Sequence, residues 1–483
     1  MARGTPGVGG PPQREGSTEA VLERTERPRP GSPAPLPAGD DVRHSLLHPE
    51  RRGSTVGAEL RGAVATFLTM AYILVANPAI IAAAGVPPGP AVAATAAAAA
   101  LSCILMGVVA DFPLALAPGM GLNAVLAFQV APAVGGWRAA MGLVVLDGLV
   151  VLALVLLGLR EAVMRAIPLD LRLAIGVGIG LFIAFIGLVN ARLVVVPPST
   201  VAALARSPGA ILPPVAAGSL RAPEATIAIV GTCLTAGLVA RRVTGAIVLG
   251  ILACALLAFA SGVAALPGGS WVAVPRFDTV GRVDMRAALT LTALPLLLPI
   301  ILVDFFDTIG TATAVAEEAG LEDDEGRIPG LRRVLGVDAI AASIGGLFGV
   351  SSVTSYVESA AGVAEGARTG LHSVAVGLLF AVAMFVAPLA AAVPTVATAP
   401  ALIVVGFLMC AQVTRIDFRT PATGIPAFVL LATIPFTYSI SQGIGYGFIT
   451  YVVVQLLAGR ARELHPLMVG AGVLFGLYFA FGG

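Results

Sequence analysis

Apolar stretches follow one another along almost the whole of this chain, and most approach the roughly 20 residues of helix that cross a hydrocarbon layer. They fall at about 61–84, 91–110, 117–132, 139–159, 167–189, 225–240, 244–264, 289–315, 331–348, 351–366, 371–393, 398–413, 424–440, 442–458 and 466–482. Backbone in lipid has no water to satisfy it, so only helices or a closed barrel can span, and runs of this length select helices. The expected fold class is an all-α polytopic membrane protein with about 14 spans at 58–465 and an extra hydrophobic segment at 466–483. Composition agrees: 57% of residues are hydrophobic and 12% charged, against about 25% charged in soluble proteins. A net charge of +1 gives no ground for a nucleic-acid partner. Cys103, Cys233, Cys254 and Cys410 lie in apolar runs without metal-ligand spacing, so they read as small buried hydrophobes, and no metal or cofactor is expected. Residues 1–57 are rich in Pro, Gly, Glu and Arg and are expected to form a disordered cytoplasmic tail, with no signal-peptide pattern.

Two segments are too short or too rich in glycine to span as simple helices. They are the third, Ala117-Pro-Gly-Met-Gly-Leu-Asn-Ala124 onward, and the tenth, Val350 to Gly362. They stand seven spans apart. An odd number of spans per repeat inverts the second repeat, so repeats at about 61–264 and 289–458 would be related upside down. Broken helices at matching positions of inverted repeats point to a transporter's binding site. Arginine sets the expected orientation. With the N-terminus inside, Arg51, Arg52, Arg61, Arg160, Arg165, Arg172, Arg241, Arg242, Arg327, Arg332, Arg333, Arg368, Arg415, Arg419, Arg460 and Arg462 fall on the cytoplasmic side. Short outer loops then hold only Arg138. The expected location is the cell membrane, multi-pass, with a cytoplasmic N-terminus. Segment 466–482 either crosses again or is re-entrant.

Carboxylates at membrane depth are expensive and are functional by default. Asp304 and Asp307 lie three residues apart in Pro299-Ile-Ile-Leu-Val-Asp-Phe-Phe-Asp-Thr-Ile-Gly-Thr311, on one helix face. Glu358 sits in the broken tenth segment and Asp147 in the fourth. Buried acids exchange protons and accept hydrogen bonds from N–H donors, which suits a planar heterocycle carrying ring N–H, amine and carbonyl groups. Asn123, with Gly119 and Gly121, and the open backbone from Ser351 to Ser355 supply complementary groups. Asp147 reads as a packing or gate residue rather than a ligand group, and His372 as interfacial. Gly176-Val-Gly-Ile-Gly180 lacks a preceding strand, so it reads as helix packing rather than a nucleotide loop.

At these residues the chain resembles the AzgA-like purine permeases of the nucleobase–cation symporter-2, or xanthine/uracil permease, superfamily. The resemblance rests on Val303 to Thr311, Thr66-Phe-Leu-Thr-Met-Ala-Tyr-Ile-Leu-Val-Ala-Asn-Pro78, Ala117 to Ala124, and Ser355-Tyr-Val-Glu-Ser-Ala-Ala-Gly-Val-Ala-Glu-Gly-Ala-Arg-Thr-Gly370, and covers about 58–465. It implies two inverted seven-helix repeats in core and gate domains, with spans 3 and 10 opening as short antiparallel strands. It also implies proton-coupled uptake of adenine, guanine or hypoxanthine, often by homodimers. On this pattern Asp304 and Glu358 contact the purine, Asn123 and Gly121 shape the site, and Thr308 and Tyr356 line it. Asp307, Asp304 or Glu358 carries the proton, and Asp307 either orients the site or takes that role itself. Ala367 and His372 depart from the small residues usual at their positions.

The resulting expectation is a secondary active purine transporter working by proton symport and alternating access, not an enzyme. The alternatives are an anion exchanger or channel on the same fold, or a permease for xanthine or uracil. An anion site would favour cationic groups, and such relatives usually carry a soluble domain after the last span. An intramembrane aspartyl protease would need aspartates facing each other from different helices, whereas Asp304 and Asp307 share one.

Overall fold

The computed structural model describes residues 48–158, 166–206, 215–265, 271–290, 293, 296–323 and 328–481. Expectations that fall on 1–47, Arg160, Arg165 and Arg327 lie outside these residues. Among the described residues, nine helices are long and apolar enough to cross a membrane, and four shorter apolar ones accompany them. In chain order the main helices are α1 (Val56–Met70), α2 (Ile73–Ile81), α3 (Pro88–Leu105), α4 (Met120–Val125), α5 (Trp137–Leu156), α6 (Leu169–Asn190), α7 (Pro223–Ala240) and α8 (Ala246–Ala260). They continue with α9 (Leu297–Ala319), α10 (Leu331–Phe348), α11 (Ser359–Ala364), α12 (Gly370–Ala383), α13 (Thr395–Cys410), α14 (Pro421–Thr437), α15 (Ile440–Leu457) and α16 (Pro466–Phe481). The strands are β1 (Leu116–Pro118), β2 (Val194–Val195), β3 (Ala216–Ala217) and β4 (Val353–Ser355). In the eighth apolar segment α9 starts at Leu297, and Pro299 falls in its first turn, where proline is tolerated.

Large apolar side chains point outward along the helices, among them Phe436 (88% exposed) and Leu457 (84%), as expected of a surface solvated by lipid. Inside, small residues let helices approach closely. A Cβ on Gly180 of α6 would lie 2.8 Å from the Gly406 carbonyl oxygen of α13, and one on Gly178 would lie 2.6 Å from Ile434 of α14. Gly178 and Gly180 therefore serve helix packing, as the sequence suggested, whereas Gly176 faces open space.

Two broken segments meet at the centre of the fold. α3 runs into a π-helical turn, Met106–Ala110, and stops at Asp111 in a left-handed conformation (φ 48°). Pro113 and Pro118 forbid helix across the next residues, which stay extended into β1. From the other side, α10 ends at Gly349, and Ser351 (φ 77°) turns the chain back into β4. β1 and β4 pair antiparallel, with Leu116 opposite Ser355, Ala117 opposite Thr354 and Pro118 opposite Val353. The ladder extends at both ends through Gly119 N–H to Ser352 O (2.9 Å) and Tyr356 N–H to Ala115 O (3.0 Å).

A buried two-stranded ladder leaves outer backbone groups unpaired, at several kcal/mol each in hydrocarbon. Side chains complete it. Cys103 Sγ accepts from Leu116 N–H (3.1 Å) and donates to Leu116 O (3.2 Å). Ser359 Oγ accepts from Ala115 N–H and Ser373 Oγ from Leu114 N–H, both at 2.9 Å. Gly119 is required here because a Cβ would lie 2.7 Å from Thr354 Cγ2.

At the start of the domain, Pro49–Arg52 form a 3-10 turn packed on the helices, within the stretch expected as tail. Arg52 Nη1 donates to Asp111 O (2.7 Å) and Arg368 O (3.2 Å), and Arg52 pairs with the Asp111 carboxylate at 3.4 Å. Asp111 also accepts from Gly370 N–H (2.8 Å), and Glu59 of α1 accepts from the N–H of Arg368 (2.9 Å) and Thr369 (3.2 Å). His372, expected at the interface, is instead fully buried and hydrogen-bonded through Nε2 to Thr66 Oγ1 (2.9 Å). The helix α12 that carries it packs against α1, which removes it from any surface.

Candidate functional site

The candidate site forms where α9 runs beside the β1–β4 ladder and the short helices α4 and α11 that follow the two strands. Asp304, Thr308 and Asn123 are completely buried and Tyr356 is 6% exposed, whereas Asp307 and Glu358 are half-buried. Asp304 Oδ1 accepts from Ser352 Oγ, the residue before β4, at 3.1 Å. One turn on, Thr308 Oγ1 donates to Asp338 Oδ2 (2.5 Å) and shares a hydrogen bond with Thr354 Oγ1 (3.0 Å). α9 is thus fastened to β4 by hydroxyls at two successive turns, which fixes where Asp304 and Asp307 sit.

Glu358 accepts from the Tyr72 hydroxyl at 3.0 Å. Tyr72 lies in the break between α1, which ends at Met70, and α2, which begins at Ile73. Asp307 lies within electrostatic range of both Glu358 and Asp338, so the acids of α9 and α11 form one group. Tyr356 donates its hydroxyl to Pro118 O (2.5 Å), locking the end of β4 over the end of β1.

Asn123 differs from all of these. Neither its side-chain oxygen nor its nitrogen has a hydrogen-bond partner, although the residue is fully buried. A buried primary amide without partners costs a few kcal/mol unless a ligand or water supplies them. It offers two donors and an acceptor side by side. Gly121 serves a packing need: a Cβ there would lie 2.7 Å from Ile179 Cγ2 of α6.

The structure therefore brings together Asp304, Asp307, Thr308, Tyr356 and Glu358 around one ladder, puts Asn123 on the helix that follows β1, and turns Gly121 toward α6. Sequence reasoning missed Tyr72 and Asp338. Tyr72 is a tyrosine inside an apolar span, whose hydroxyl has to find a partner. Asp338 is a carboxylate within the ninth apolar segment, and the rule that singled out Asp304 applies to it equally. Asp147 lies in α5, fully buried, facing α10 rather than the ladder.

The broken spans of this helical domain thus meet in a short central ladder. The fold is similar to that of the transmembrane domain of the cyanobacterial bicarbonate transporter BicA, with TM-score 0.56, 17% identity, 81% of this chain and 96% of that one covered. It is also similar to the murine anion transporter Slc26a9, with TM-score 0.56, 13% identity and coverage of 92% and 77%. The chain belongs to the Permease family designated Xan_ur_permease, whose sequence pattern matches residues 57–446. The resemblance to the nucleobase–cation symporter-2 superfamily thus holds as membership. Among its relatives are the putative permease MJ0326 of Methanocaldococcus jannaschii, 40% identical over 434 residues, covering 89% of this chain and 97% of that protein. The guanine/hypoxanthine permease PbuG of Bacillus subtilis is 39% identical over 442 residues, with coverage of 89% and 97%. The adenine permease AdeP of Escherichia coli is 36% identical over 445 residues, with coverage of 92% and 97%.

Proposed function

We propose that this chain is a secondary active importer of purine nucleobases (hypoxanthine, guanine or adenine) that couples uptake to protons. The observation that carries the reading is the unpartnered Asn123 amide, buried on α4 of a broken span, the short helix that packs against the acid-bearing α9. A purine has ring N–H donors that suit Asp304 and Glu358, and a carbonyl or ring nitrogen edge that suits the Asn123 amide. The names of PbuG and AdeP support the same substrate class. Asp304 and Glu358 contact the base, while Thr308 and Tyr356 hold the frame around it. The proton travels on the acid group to which Asp307 belongs.

In this reading the two halves of the chain are inverted repeats, and the ladder joins the broken span of each. The bundle that carries the ladder moves against α6, α13 and α14 to open the site alternately to each side. The arginine distribution supports a cytoplasmic N-terminus, and the protein works as a homodimer. The competing reading, anion exchange on the same fold, is disfavoured by Asp304, Asp307 and Glu358, which repel an anion unless protonated.

The test is uptake of labelled hypoxanthine in cells lacking their own purine uptake, with wild type and Asp304→Ala at equal surface expression. Saturable uptake by wild type, competed by guanine or adenine and lost in the variant, is expected. Wild-type uptake rates in Asp304→Ala would remove Asp304 from the site, and uptake indifferent to collapse of the proton gradient would remove the coupling.

A further inference from the structure

One buried acid has no role in the site just described. Asp147, on α5, is fully buried, and neither of its oxygens meets a hydrogen-bond donor. It stands where α5 crosses α10 at very short range. A Cβ on its neighbour Gly148 would lie 2.5 Å from the Ala339 carbonyl oxygen, and Ser343 Oγ of α10 donates to Val145 O at 3.2 Å. Asp338 is next to Ala339, fully buried, and within electrostatic range of Asp147.

The two carboxyls have opposite surroundings. Asp338 accepts a hydroxyl on each oxygen, from Ser355 Oγ (2.7 Å) and Thr308 Oγ1 (2.5 Å), which is how an ionised carboxylate is satisfied. Asp147 accepts none. An isolated carboxylate cannot stay ionised in such a place, least of all beside a second negative charge. Among the described residues, no other charge compensates it. Of the elements packed on α5, α10 presents Asp338, and α9 presents Phe305, Ile301 and Ile309 on this side. The turns at Leu126–Val130 and Ala131–Ala133 carry no titratable group, and the short helix Met285–Ala288, with Asp284 and Arg286, packs at the other end of α5, near Gly142. Arg138 and Arg332 lie at the two ends of α5, the latter bonded to Leu156 O (2.6 Å). Arg138 and Leu156 each stand nine residues from Asp147, or about 13 Å along a helix.

We propose that the α5–α10 crossing is a proton-binding site, with the proton held on Asp147 and Asp338 as its ionised partner and first acceptor. The inference rests on the proton-symport reading above and adds, outside the substrate site, a second carrier that reaches the acid group of Asp307 through Asp338. The transfer is simple. The O–H bond on Asp147 breaks, a new one forms on an Asp338 oxygen, and the negative charge passes to Asp147. Protonated Asp338 no longer holds the Thr308 and Ser355 hydroxyls as a carboxylate does. Those hydroxyls belong to α9, one turn from Asp304, and to β4. A proton arriving or leaving at the crossing is thereby felt by the two elements that frame the substrate.

The test uses the full chain in proteoliposomes with labelled hypoxanthine, comparing wild type with Asp147→Asn and Asp147→Leu. Leucine suits a pocket shared with the apolar residues Val151 and Ala339. Two fluxes separate the roles: exchange at equal pH on both sides, which needs binding and reorientation only, and accumulation driven by an inward proton gradient. Both variants are expected to keep wild-type exchange and to lose gradient-driven accumulation completely. Gradient-driven accumulation at the wild-type level in either variant overturns the proposal, as does loss of exchange in folded variants. If wild type exchanges hypoxanthine but ignores the gradient, the proton-symport reading falls and this inference with it. If wild type moves no purine, the substrate reading falls first. Should the variants not fold, the infrared spectrum of wild type decides the matter. It is expected to carry the carbonyl stretch of a protonated carboxylic acid at neutral pH, and its absence overturns the proposal.

Discussion

At the scale of single residues, the site depends on carboxylates whose partners are hydroxyls. Tyr72→Phe removes the one donor seen on Glu358. A hydrogen bond to a charged group contributes about 1.5–3 kcal/mol, so hypoxanthine affinity is expected to fall roughly 10- to 100-fold if Glu358 holds the base from that orientation. The check is the KM of labelled uptake at matched expression. Asn123→Ala should weaken binding by a similar factor while leaving the folded protein as stable as before or more so, because it removes a buried amide with no partner. That opposed pair of effects, read by uptake and by thermal unfolding in detergent, distinguishes a ligand-facing amide from a helix bridge. Asp304 and Glu358 were legible in the sequence because an acid in an apolar run is conspicuous. Tyr72 and Ser352 were not, since their roles come from contacts 286 and 48 residues distant in the chain. Asp338, an acid in an apolar run, carried the same signal as Asp304.

At the scale of elements, the ladder and its supports explain why the third and tenth segments break where they do. Proline and glycine at 113, 118 and 119 were visible as helix breakers, and the antiparallel pairing expected from family resemblance is present. The sequence did not reveal which side chains complete the ladder. Cys103 sits unremarked in an alanine-rich helix, yet it serves both backbone groups of Leu116. Cys103→Val leaves both without partners in a buried setting and should destabilise the protein by about 2 kcal/mol, measured as a lowered melting temperature. Arg52→Ala should act at the other end of the first segments. It removes the contacts that hold the chain entry to Asp111 and Arg368, at about 2 kcal/mol. Gly406→Val brings a side chain within 2.5 Å of the Gly180 carbonyl oxygen and must force α6 from α13, so loss of folded protein on size-exclusion chromatography is expected.

At the scale of the whole molecule, membrane class was readable from hydropathy alone, since lipid tolerates so few backbone solutions. The burial of His372 was not, because its helix gives no sign of which face meets α1. The proposed transport rests on placing polar groups of α1–α2, α4, α9 and α11 around a ladder that only the folded chain assembles. Proton symport implies that uptake rises as external pH falls and vanishes when the gradient is collapsed, which uptake with and without an uncoupler reads directly. The most direct test of the central assignment is competition against labelled hypoxanthine uptake by adenine, guanine, xanthine, uracil and bicarbonate, in wild type and Asp304→Ala side by side. Competition by purines alone, with no uptake in the variant, is the predicted result. Undiminished uptake by Asp304→Ala, or competition by bicarbonate, would contradict it.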